Sequence, residues 1–256
     1  MAMATATQAL KRAPMDRARK AVLAAGVLYL ITFVTSIPAL PLYHRILTNH
    51  RYVLGGASDT GVLVAAMLEI LLAIAGIGTA VVLFPILRRR AEARALGFVT
   101  TRVIEATMIL VGVLSVLSIV TLQKHGAAAG ADPGSLVANS RSLVAVHDWT
   151  FLLGPGLMPA LNALCFASIL YQTRLVPRII PTIGLIGAPI LFASGMVTLF
   201  GGWDQVSSIS LLMTLPIAAW ELSIGVWMTF KGFKSSTEDA GIVDLRPPVV
   251  PVPAAV

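Results

Sequence analysis

The chain has 256 residues, of which 57% are hydrophobic and only 12% charged, and its mean hydropathy is +0.85. Soluble domains carry about 25% charged residues, so a soluble globular domain is excluded. The net charge of +7 does not indicate a nucleic-acid binder, because the Lys and Arg residues flank apolar runs instead of forming one basic face.

Residues 1–16 read as a flexible basic leader. The apolar run that follows, 21–40, is about 20 residues, whereas a cleaved signal core is about 7–15. It is therefore read as a first membrane helix that is kept. A helix needs about 20 apolar residues to cross the bilayer core. Six segments qualify: 21–42, 61–87, 98–122, 149–172, 179–201 and 208–230. No period-two alternation competes with them. In lipid the backbone must satisfy its own hydrogen bonds, so the expected fold is an all-α transmembrane bundle of six helices within residues 17–234. "LGGASD" and "GAAAGADPGS" read as turns between helices. The tail 235–256, "SSTEDAGIVDLRPPVVPVPAAV", is Pro-rich and aperiodic and is expected to be disordered.

Charge sets the expected orientation. The leader, Arg88, Arg89, Arg90 and Arg94, Arg174 and Arg178, then Lys231, Lys234 and Arg246 all fall on one side. The other side holds Arg45, Arg51, Lys124 and Arg141. The positive-inside rule then predicts cytoplasmic termini. The four histidines, His44, His50, His125 and His147, fall at the outer side. No two stand at metal-ligand spacing. The single Cys165 lies in an apolar run and reads as a small buried residue. No metal and no cofactor are expected.

Three glutamates and one arginine lie inside the expected spans. Glu69 sits about one turn outward of the middle of its helix, ~6 Å. Glu105 sits ~7 Å inward of the middle of the next, with Arg102 three residues before it. Glu221 is near the middle of the last. A charge near the bilayer centre costs at least about 2.5–3.5 kcal/mol, so these groups should face protein or trapped water. Each glutamate also falls on a stripe of small residues, the kind of face on which membrane helices approach. The stripes are Ala65, Glu69, Ala73, Gly76, Ala80; Thr101, Glu105, Met108, Gly112, Ser115; and Ser207, Ser210, Thr214, Ala218, Glu221, Gly225. The three could converge on one polar centre. Arg102 can pair with Glu105 at i, i+3, yet it also lies near enough to the cytoplasm to snorkel. Such a centre suits a proton- or ion-handling site or a pocket for a polar solute. The same residues could instead only fix helix register.

"HDWTFLLGPGLMPALNAL", residues 147–164, places Gly154, Pro155, Gly156 and Pro159 inside an apolar run. A proline removes an N–H and crowds the carbonyl four residues back. One reading is a discontinuous helix, with His147, Asp148 and freed carbonyls lining an outward vestibule. The other starts the helix near Pro155, with Asp148 and Thr150 as capping residues and Trp149 in the aromatic belt. The second is preferred. Asn162 is expected to hydrogen-bond between helices in either case.

Several stretches in order carry a family resemblance: "GVLYLITFVTSIPAL", "RVIEATMILVGVLSVLS", "HDWTFLLGPGLMPALNAL", "LVPRIIPTIGLIGAP" and "LPIAAWELSIGVW". Together they resemble the bacterial domain of unknown function 4386 family over about residues 18–234. The resemblance implies a multi-pass membrane protein and brings no activity, substrate or catalytic residue.

No G-x-S-x-G, H-E-x-x-H, Walker or G-x-G-x-x-G motif is present. The leading expectation is binding or translocation of a small solute or ion, with proton coupling, at Glu221, Glu105, Glu69, Arg102, His147 and Asp148. The alternative is a structural or regulatory membrane protein. A membrane-embedded hydrolase using His147, Asp148 and Glu69 ranks third. The expected partners are the lipid bilayer and a small solute or ion, with no nucleic acid. The sequence sets no oligomeric state.

Overall fold

The computed structural model describes residues 17–55, 58–126 and 129–234, and all their regular structure is helical. The expected leader and tail lie outside the described residues. In chain order come α1 (Arg17–Thr48), a 3-10 turn (Tyr52–Leu54), α2 (Thr60–His125) and α3 (Pro133–Phe151). A π-helical turn (Leu152–Gly156), α4 (Met158–Thr173), α5 (Ile179–Leu199) and α6 (Ser208–Phe230) follow. Five stretches are long and apolar enough to cross a membrane: α1, α2, the combined stretch Pro133–Thr173, α5 and α6.

Two of the expected segments, 61–87 and 98–122, both lie within α2, which has 66 residues. A straight helix of that length would run ~98 Å at 1.5 Å per residue. Yet Lys124 Nζ near its end lies 3.5 Å from Asp59 Oδ2 at its start. Glu69 also shares a cavity wall with Ile109 and Gly112. The helix therefore doubles back. The break is Ala91, whose backbone is extended (φ −161°, ψ 85°). It separates two antiparallel arms, 60–90 and 92–125. The charged run Arg88-Arg89-Arg90-Ala91-Glu92 puts the reversal where apolar packing would be lost least. At the open end of this hairpin the Tyr52 hydroxyl donates to Asp59 Oδ1 at 2.7 Å. Burial, with the Asp59 carboxylate beside it, pushes the Tyr52 phenol well above its ordinary range.

The fourth expected helix is corrected. It begins at Pro133, not near Pro155. Asp132 Oδ2 accepts from Ser135 N at 3.0 Å and Pro133 occupies the first turn, so Asp-Pro is the cap. His147 and Asp148 lie well inside α3, and Thr150 donates its hydroxyl to His147 O at 2.9 Å instead of capping. Trp149 is exposed on the outside of the bundle.

Buried side chains form two clusters along the bundle. Tyr29, Leu83, Phe98, Phe166 and Trp220 centre one. Tyr43, Ile46, Tyr52, Val116 and Ile119 centre the other. Large apolar side chains such as Val34, Ile37, Ile74, Leu114 and Phe230 remain exposed. A soluble monomer rarely shows that much apolar surface, and lipid would cover it. α1 and α6 approach closely because Gly26 and Gly225 face each other. A Cβ at Gly26 would stand 2.5 Å from Thr229 N and 2.9 Å from Gly225 O.

Candidate functional site

The ionisable residues inside the bundle form two groups, not one. Arg102 is the hub of the first. Its Nη1 donates to Glu105 Oε2 at 3.0 Å, one turn along the second arm of α2. Its Nη2 donates to Glu221 Oε1 of α6 at 2.7 Å. A planar guanidinium with five donors suits two carboxylates at once. Asn162 of α4 donates Nδ2 to the same Glu105 Oε2 at 2.6 Å, and Thr101 is hydrogen-bonded to Asn162 Oδ1. The guanidinium carbon lies 5.0 Å from the Tyr29 ring centroid and 6.0 Å from that of Phe98, so aromatic faces on α1 and α2 wall the charge in. Arg102 is 4% exposed. It does not snorkel to an interface, which corrects the sequence expectation. The α6 stripe is corrected too. Its inward face is Ile217, Trp220, Ile224, Gly225 and Met228, and Glu221 stands at the edge of that face, half-buried.

Glu69 belongs to the second group. The stripe around it, from Ala65 to Ala80, is buried as expected. The carboxylate bears on Tyr43 of α1 and His147 of α3. The Tyr43 hydroxyl is buried and makes no hydrogen bond. Its ring meets the His147 ring edge-on at 5.7 Å, and Phe151 lies parallel to His147 at 6.2 Å. A void of about 10 Å³ remains between Glu69, Ile109, Gly112, His147, Thr150 and Pro155. That is the space one water needs, about 10–15 Å³. Gly112 makes the approach workable. A Cβ there would lie 3.1 Å from Thr150 Oγ1 and 3.5 Å from His147 Cδ2. Asp148 is not part of this interior. It is exposed, and its Oδ1 lies 3.3 Å from His147 Nδ1.

The broken helix borders this second group. The π-helical turn holds Pro155, which has no N–H to give. Gln205, in the link between α5 and α6, fits into the opening. With its amide nitrogen toward Asp148 O (3.2 Å), its amide oxygen receives Leu152 N at 2.6 Å. Gln205 thus sets a protein amide against the start of the widened turn, where Leu152 N also bonds to Asp148 O within the helix, and the void beside it is the size of one water. The helix is discontinuous at this turn, and Asp148 is exposed and stands apart from the void that His147 lines.

The structure therefore joins Arg102, Glu105 and Glu221, and separately Glu69 and His147, and it leaves Asp148 outside. Sequence reading passed over Tyr29, Tyr43 and Gln205. The two tyrosines read as packing aromatics, and only their place on α1 opposite intramembrane charges could have singled them out. Among the described residues no three His, Cys, Asp or Glu side chains stand close enough to hold a metal ion. A family model described as Domain of unknown function (DUF4386) matches residues 24–232. No curated protein and no solved structure matches the chain.

Proposed function

The chain belongs to the DUF4386 family, a domain of unknown function, and we propose that it binds a small solute or ion in the membrane, coupled to protons. Its several long apolar helices fit an integral membrane protein. In this reading α2 crosses twice, once with each arm, giving six crossings in the bacterial inner membrane. Arg19, Arg88, Arg89, Arg94, Arg174, Arg178 and Lys231 gather at the end of the bundle that holds the Ala91 reversal and both described termini. The positive-inside rule then supports cytoplasmic termini.

One observation carries the proposal: Glu69 faces His147 around a water-sized void inside the bundle, apart from the Arg102 group. A carboxylate in a span is costly to insert and is by default a functional candidate. The His147 ring nitrogens can donate a hydrogen bond to a water in the void or accept one from it. In this conformation the void admits a water or a proton carried on it, and nothing larger. A solute would require the bundle to open near the π-helical turn.

The test uses the purified protein in liposomes that contain a pH-sensitive dye, under an imposed pH gradient. The parent is expected to dissipate the gradient several-fold faster than Glu69→Gln or His147→Gln. Equal rates for the parent, Glu69→Gln and empty liposomes would remove the reading. A second reading, a structural or regulatory membrane protein, draws on the other group. There Glu105 and Glu221 are both paired to Arg102, as register-fixing polar residues would be.

A further inference from the structure

The end of the bundle that holds the α4–α5 turn concentrates positive charge on one short surface. Arg174 closes α4 in the left-handed conformation (φ 54°), and Arg178 starts α5. The chain after α6 folds back onto this turn, because Lys234 N donates to Leu175 O at 2.9 Å. That contact seats Lys234 beside Leu175, with Arg174 and Arg178 in the same turn and Lys231 three residues before it in the chain. All four are exposed, and among the described residues none is paired with a carboxylate. Arg19 differs. Its guanidinium is spent on the carbonyls of Met228, Thr229 and Phe230 at the end of α6.

The cations stand next to exposed apolar side chains. Ile179, 71% exposed, follows Arg178, and Phe230, 73% exposed, precedes Lys231. The Arg178 guanidinium is held over the Tyr171 ring at 4.9 Å, which fixes one charge at the border of the apolar surface. A ligand that fits needs an anionic head for the cations and hydrocarbon for Ile179 and Phe230. A free anion uses only half of these features, and a neutral lipid only the other half.

We propose that the α4–α5 turn and the end of α6 form a binding site for an anionic phospholipid. The phosphate lies between Arg178 and Lys231, with Arg174 and Lys234 flanking it, and the acyl chains run along Ile179 and Phe230. The site is independent of the proton reading of Glu69 and His147.

The experiment is native mass spectrometry of the full-length protein released from detergent micelles, titrated with phosphatidylglycerol or phosphatidylcholine. The parent is expected to bind phosphatidylglycerol at least about 10-fold more tightly than phosphatidylcholine. Arg178→Gln with Lys231→Gln should weaken phosphatidylglycerol binding about 30-fold, equivalent to ~1 kcal/mol for each cation removed. Arg88→Gln with Arg89→Gln removes the same charge from the same end, away from the site, and should change binding less than about 3-fold. If the first pair does not yield folded protein, Lys231→Gln with Lys234→Gln tests the same point at two exposed side chains. Equal weakening by the on-site and off-site pairs would overturn the proposal. So would equal binding of the two lipids, or full displacement of the lipid by inorganic phosphate.

Discussion

The two ionisable groups of the bundle solve the same problem in opposite ways. Around Arg102, two carboxylates, an amide and two aromatic faces are tied together by hydrogen bonds and ring contacts, with the buried Arg102 Nε left without a partner. Around Glu69, a carboxylate, an imidazole and a phenol are brought together with little bonding and a water-sized gap. A paired buried charge is expensive to disturb because removing one partner strands the other. A loosely held one has less to lose and can change protonation without dismantling its surroundings. The contrast suggests a rigid anchor near one end of the bundle and an adjustable site nearer the other.

The largest effect should come from Arg102→Ala. It leaves Glu105 and Glu221 facing each other without a cation, and removing one partner of a buried pair costs about 3–5 kcal/mol. Thermal unfolding in detergent measures it. Adding Glu105→Gln and Glu221→Gln to that variant should recover a large part of the loss. Failure to recover would mean that Arg102 acts mainly through its packing on Tyr29 and Phe98. Next comes Gln205→Ala, which removes one hydrogen bond to Asp148 O in α3 and one from Leu152 N at the start of the π-helical turn, at about 1 kcal/mol each. Hydrogen exchange should rise at Leu152 and its neighbours. If exchange there is unchanged, water replaces the amide without consequence and Gln205 does not support the Glu69 group.

The smallest effect on stability should be that of Glu69→Gln, under about 1 kcal/mol, because the carboxylate has no well-formed hydrogen bond to lose. Glu105→Gln, measured alongside, should cost more, since Glu105 Oε2 accepts from both Arg102 and Asn162. Equal losses would erase the distinction between anchor and adjustable site.

The apolar runs and the small-residue stripes of α2 made much of the helical order legible, because burial in lipid or protein demands them locally. Asn162 was legible for the same reason, as an amide in an apolar helix must find a partner. The start of α3 was also written in the chain, as Asp132-Pro133, but polar residues of α3 such as Asn139 and Arg141 read as loop. That face is exposed, while Leu136, Ser140, Val144 and His147 make the buried stripe. Arg102 was misjudged because depth from a helix end says nothing about what surrounds it. Tyr29 and Phe98 close it off, and that needs the packing of α1 on α2. The split of the glutamates into two groups was equally hidden, since each stripe fixes a direction but not the neighbour it meets.

The contact of Gly26 with Thr229 and Gly225 has a consequence for how the chain is made. One flank of α1 finds its partner early, when α2 follows it from the ribosome. The other flank waits for α6, roughly two hundred residues later. Until then the notch at Gly26 is open to lipid, and the carbonyls that Arg19 will cap do not yet exist. The bundle is thus a ring whose seam joins the oldest helix to the youngest. A bulky side chain at position 26 would leave every other helix pair able to form and would block only the last act of assembly.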